Sequence, residues 1–160
     1  MTTKFKRNVL GDDSSTDEVK AILQSSLETL IDLALSLKQA HWNVVGPNFR
    51  SVHLQLDEII ITVREATDEI AERIVTIGHS PDGRAATVAA GSELPLFEDG
   101  FLKVDETISA VADRMKCTVD LLRTGISKVG ELDPVSEDLL IGISAPLEKH
   151  LWMVQAQEVR

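Results

Sequence analysis

Five residues of this chain carry side chains that bind transition metals, at spacings that suit binding: His41, His53, Asp57, Asp68 and Glu72. His53 and Asp57 are four positions apart, as are Asp68 and Glu72. On a helix each pair would lie on one face with Cβ atoms about 5–6 Å apart. His41 follows Leu37 by four residues and so occupies a buried register where a leucine would be expected. At ~100° per residue, positions 53, 57, 68 and 72 fall at about 0°, 40°, 60° and 100°, a stripe beside the apolar one at roughly −100° to −20°. Imidazole with carboxylates suits Fe, Mn or Zn better than Ca or Mg. Hard carboxylates also stabilise Fe³⁺, which eases loss of an electron from Fe²⁺. A carboxylate between two ions could bridge them for two-electron chemistry with a peroxide. Residue types alone leave the metal open.

Helix rise then restricts the arrangement. Asp57 and Asp68 are separated by about 16 Å along a helix at ~1.5 Å per residue, whereas metal–oxygen bonds are near 2 Å. The two pairs cannot share an ion within one chain. Positions 53 and 72 average to 62.5, and so do 57 and 68. Two copies of the helix packed antiparallel about a two-fold axis near Thr62 and Val63 would bring 53 opposite 72 and 57 opposite 68. An isologous contact repeats that pairing, so a dimer would hold two sites. Each would combine His41, His53 and Asp57 of one copy with Asp68 and Glu72 of the other. The plainer reading makes each pair a decoration of a solvated helix face and His41 a hydrogen-bonded core histidine. The shared midpoint, with a histidine in a buried register, favours the metal site.

The elements needed to position these residues are legible as periodicity, and they make an all-α fold. The first helix begins near Ser15, which has capping-box spacing to Glu18. Val19, Ile22, Leu23, Leu27, Leu30, Ala34 and Leu37 form its stripe. Gly46-Pro47 stops it. The second runs from about Asn48, as N-cap, to Gly78, burying Phe49, Val52, Leu56, Ile60, Val63, Thr67, Ile70 and Ile74. A long connection from His79 to Gly100 should contain structure of its own, a short helix over Arg84 to Ala90. The third helix spans about Asp105 to Val129, with Ile108, Val111, Met115, Thr118, Leu122, Ile126 and Val129 inward and Gly130 as C-cap. The fourth opens at Asp133-Pro134 and buries Leu140, Ile143, Leu147, Leu151 and Val154. Two helices, a long crossover and two more helices predict a ferritin-like four-helix bundle over 15–160, behind a flexible tail over 1–14.

Composition bounds the rest. A chain of 160 residues is long enough to bury one core without disulfides. Tyr is absent and aromatics are scarce, which favours helix on helix over a sheet sandwich. The single Cys117 excludes an intramolecular disulfide and reads as a small buried hydrophobe. No run approaches the ~18 apolar residues of a membrane span, and no signal-peptide core precedes the first helix. The expected home is the cytoplasm, with nucleoid association as the variant if DNA is bound. Net charge is −10, from 26 acidic and 16 basic residues, which repels DNA and attracts cations. The one concentrated basic stretch, Lys4, Lys6 and Arg7, meets Asp12 and Asp13 at once and reads as a solvated terminus.

At its metal-type residues the chain resembles the Dps family of mini-ferritins. The motif is Lys38-Gln39-Ala40-His41-Trp42-Asn43, with Gly46 and Asn48-Phe49, followed by His53, Asp57, Asp68 and Glu72 at the family's spacing. Ala112-Asp113-Arg114 and Leu151-Trp152 are also similar, and the match runs from about residue 20 onward. The resemblance implies a hollow homododecamer that oxidises Fe²⁺ at an intersubunit site. Hydrogen peroxide would be the preferred oxidant over O₂, and a Fe³⁺ mineral would be stored inside, protecting against oxidative stress. It places Trp42 beside the site, with plain packing as the alternative. It implies acidic pores for iron, for which Glu131, Asp133, Glu137 and Asp138 are candidates, although capping accounts equally for Asp133. Family DNA binding relies on a longer basic tail. Twelve copies here would carry 12 × (−10) = −120, so DNA binding is expected to be weak or absent. Classical ferritins use Glu-x-x-His, and no Glu here has a His three residues later. The alternatives are a shell binding Zn²⁺ or Mn²⁺ without turnover, a protein acting mainly by nucleoid binding, and a metal-free interaction bundle. His79 is assigned to a flexible connection and His150 to a helix surface or subunit contact.

Overall fold

The computed structural model describes residue 5, residues 7–11 and residues 14–158. Lys4, Lys6, Asp12 and Asp13 of the expected tail lie outside the described residues. Within that tail Asn8 to Gly11 form a turn, in which Asn8 Nδ2 donates to the Gly11 carbonyl at 2.6 Å, and Leu10 packs against the core.

Among the described residues the chain forms five helices and one short pair of strands. Helix α1 covers Ser14–Asn43, β1 Val44–Val45, α2 Phe49–Thr76, α3 Ala85–Gly91, β2 Leu102–Lys103, α4 Val104–Val129 and α5 Pro134–Gln155. Helix α1 packs on α2 and α4, α5 packs on α4 and α2, and α3 lies against α1. This is the ferritin-like four-helix arrangement, with the extra helix inside the crossover. The core runs the length of the bundle through Leu23, Leu30 and Leu37 of α1, Ile59, Ile70 and Ile74 of α2, Leu122 of α4 and Leu140 of α5. Each such side chain contributes roughly 1.5–3 kcal/mol by leaving water. No helix among the described residues is long and apolar enough to cross a membrane.

Several boundaries differ from expectation. Helix α1 opens at Ser14, next to the expected start at Ser15. Asn48 does precede α2, but at φ 63° and without a side-chain cap bond. Its role is to turn the chain in the left-handed region, which Asn tolerates. Phe49, the first residue of α2, is 46% exposed, and Ile59 and Ala66 are buried in the stripe as well. Helix α2 ends at Thr76, short of Gly78, which takes φ 91°. Gly130 is the C-cap of α4 as expected, but in right-handed conformation. A Cβ there would sit 2.7 Å from the Glu137 carboxylate. Asp133 caps α5 as expected, accepting from the Val135 and Ser136 amides. Pro146 sits inside α5, where it forfeits a bond to the carbonyl of Gly142.

The parallel pairing of β1 with β2, Val44 opposite Leu102 and Val45 opposite Lys103, was not anticipated. It ties the end of the crossover to the α1–α2 connection. The crossover is also fixed to α1 by side chains. Gln24 Nε2 donates to the Asp82 carbonyl at 2.8 Å while Asp82 N donates back to Gln24 Oε1 at 3.0 Å, and Ser92 Oγ donates to Asp32 at 2.6 Å.

Candidate metal centre

His41 lies in the last turn of α1 and His53 in the second turn of α2, so the short connection between these helices brings them face to face. His41 Nδ1 is 2.9 Å from the His53 carbonyl oxygen, and His53 Nδ1 is 2.8 Å from the His41 carbonyl oxygen. A carbonyl only accepts, so each Nδ1 must carry the proton and donate it. In the neutral ring this leaves the lone pair on Nε2, the form in which imidazole binds a metal. The rings stack at 3.6 Å between centroids with 21° between planes. His41 is 7% exposed, as its register requires, and His53 is half-buried. The Phe49 ring meets His53 edge-on at 6.4 Å.

Asp57, one turn after His53, places Oδ1 3.4 Å from His41 Nδ1. Lys38 Nζ, from one turn before His41, donates to that same oxygen at 2.6 Å. The Lys38 hydrogen bond holds the Asp57 carboxyl below its usual range against the opposing effect of burial, aided by the fields of His41, Lys38 and His53. Lys38 was not singled out from sequence as a member of this cluster. Its place three residues before His41 on one helix face was the available signal.

Asp68 and Glu72 are exposed about three and four turns further along α2, and their carboxylates have no hydrogen-bond or ion-pair partner among the described residues. The structure thus groups His41, His53 and Asp57 and leaves Asp68 and Glu72 apart from them. Within one chain no three His, Cys, Asp or Glu among the described residues are arranged to hold a metal ion. Trp42 is 66% exposed beside His41. Leu54 and Ile61 are exposed on α2 at 43% and 59%, on the outer stripe that also carries Asp68 and Glu72.

The acidic cluster near α5 divides. Glu131 and Asp138 are exposed and Glu137 is half-buried over Gly130. Asp133 is 2% exposed and fully engaged, accepting from Arg73 Nη2 at 2.7 Å and from the Ser136 hydroxyl. Burial pushes its carboxyl up, but the Ser136 and Arg73 bonds outweigh this and hold it below the usual range. Its carboxylate is therefore committed within the chain as a helix cap, the alternative to a pore role. His79 Nε2 lies 3.9 Å from the Asp17 carboxylate. Cys117 is half-buried beside a groove of α1 and α4, its thiol pushed up by burial. His150 is set in the seam of α2 and α5, not on a free helix surface, with Nε2 3.0 Å from Thr62 Oγ1.

A family model described as a ferritin-like domain matches residues 20–159. The DNA protection during starvation protein of Mycolicibacterium smegmatis is 38% identical over 144 residues, covering 90% of this chain and 79% of that protein. The fine tangled pili major subunit of Haemophilus ducreyi is 38% identical over 134 residues, covering 84% and 71%. In three dimensions the chain is similar to the tetragonal form of Mycobacterium smegmatis Dps. The TM-score is 0.91 at 38% identity, with 98% of this chain and 94% of that one covered.

Proposed function

Because the chain belongs to the Dps family of ferritin-like proteins, whose general roles are iron storage and DNA protection, we propose that it oxidises Fe²⁺ at a site completed by a second copy of itself. The observation that carries this reading is the stacked pair of histidines whose Nδ1 atoms are held by each other's backbone carbonyls, which puts the lone pair of each neutral ring on Nε2, beside an Asp57 carboxyl held below its usual range. A second copy related by a two-fold axis near Thr62 and Val63 would bring Asp68 and Glu72 to that half-site. The exposed Leu54 and Ile61 on the same stripe of α2 would be covered by that contact. Iron is the substrate. Two Fe²⁺ supply the two electrons that cleave the O–O bond of hydrogen peroxide, taking up two protons and giving two Fe³⁺ and two waters, with O₂ as the alternative oxidant. Trp42, next to His41 in sequence, would supply the neighbouring aromatic.

The family assembly implies a homododecamer, with Fe³⁺ mineral held inside and Glu131, Glu137 and Asp138 as the remaining candidates for an iron passage. The test is peroxide-driven Fe²⁺ oxidation followed by absorbance, alongside native mass. The wild-type chain should turn over iron as an oligomer. His53→Ala and Glu72→Ala should each lose at least about tenfold in rate, the loss typical of a disturbed metal ligand shell. Metal binding without Fe²⁺ oxidation would favour the Zn²⁺ or Mn²⁺ shell instead.

A further inference from the structure

His150 belongs to none of the machinery above, yet its ring is set between α2 and α5. Its Nδ1 is buried without a hydrogen-bond partner, while Nε2 sits 3.0 Å from Thr62 Oγ1. Thr62 Oγ1 in turn lies 3.4 Å from the Glu58 carbonyl oxygen, to which it donates. The consistent assignment runs one way: Nε2–H donates to Thr62, the Thr62 hydroxyl donates to Glu58, and Nδ1 keeps a buried lone pair. A second proton could enter only at Nδ1, which has no acceptor among the described residues.

We propose that His150 is an acid-sensitive pin of the α2–α5 seam. Neutral, it locks Thr62 to α5. Protonated, it buries an N–H with a charge and no partner between the two helices and loosens them. The charges that act on the ring are Glu58 on α2, which favours the proton, and Lys149 on α5, which opposes it. Burial is the largest influence and pushes the imidazole below its usual range. A histidine held neutral in the fold supports stability above its unfolded pKa. That support is lost as pH falls from about 6.5 towards the lower folded value. The loosened point, Thr62, is midway between the turns bearing Asp57 and Asp68. The pin itself operates within one chain and needs no second copy.

Two measurements on the full chain test this. The first is the ring titration of His150 by NMR in histidine-labelled protein, which should report a value below 6.5. The second is the heat-unfolding midpoint at pH 8 and pH 5.5 for wild type and for His150→Phe, which keeps a ring of similar size. Wild type should lose roughly 2–4 °C more than the variant on acidification. Parallel pH curves, or a His150 titration at or above 6.5, would overturn the proposal. Should His150→Phe not fold, the ring titration of the wild-type chain decides.

Discussion

His41 and His53 exchange Nδ1–H donations with each other's carbonyl oxygens at 2.9 and 2.8 Å, and this exchange has two consequences. It staples the end of α1 to the start of α2, and it fixes both tautomers with Nε2 open. Asp57 depends on Lys38 for its charge state, because their hydrogen bond is the largest influence on its carboxyl. In Lys38→Gln without metal, the Asp57 carboxyl should titrate higher, returning towards about 3.9, as read by side-chain NMR. The sign of the linkage follows. A depressed carboxylate supports the fold above its unfolded pKa, and the support is lost as pH falls through the folded value. The variant should therefore lose less stability in acid than wild type. An unmoved Asp57 titration would show that Lys38 does not control it. Of this cluster, His41 was legible in the sequence because four residues separate it from Leu37 in a buried register. Spacing also puts Lys38 on the face of His41, but its pairing with Asp57 depends on how closely α1 approaches α2, which periodicity does not encode.

At the scale of elements, the α4–α5 connection concentrates its stability on Asp133. That carboxylate accepts from the Val135 and Ser136 amides, the Ser136 hydroxyl and the Arg73 guanidinium while only 2% exposed. Asp133→Ala removes the cap and leaves Arg73 without its carboxylate, and should cost about 2–5 kcal/mol in denaturant unfolding. A loss under about 0.5 kcal/mol, the range of ordinary surface changes, would contradict the assignment. Wild-type support from this carboxylate should persist above about 3.8, the ordinary value, and fade below it. Asp133-Pro134 was readable because cap and proline chemistry are local. The same reasoning placed the start of α1 to within one residue and Asn48 at the N-cap of α2, but not the left-handed backbone by which Asn48 turns the chain. The helices themselves were legible from three- and four-residue steps. The β1–β2 pairing was not, because it joins residues 44 and 102, whose contact no local pattern signals.

For the whole molecule, charge and symmetry make separate predictions. With a net charge of −10 per copy, the protein should fail to shift DNA in a gel at physiological salt. Tight binding there would show that the basic residues near the N-terminus outweigh the acidic surface. Whether each metal site is built from two chains is decided by mixing complementary variants. His53→Ala and Glu72→Ala subunits, each inactive alone, are unfolded together, reassembled in equal amounts and assayed for Fe²⁺ oxidation. If sites are shared, half of the dimers are mixed and each mixed dimer carries one doubly damaged and one intact site. Activity should return to about a quarter of the wild-type level. Activity no higher than that of either variant alone would mean that each chain owns its site, and would contradict the account.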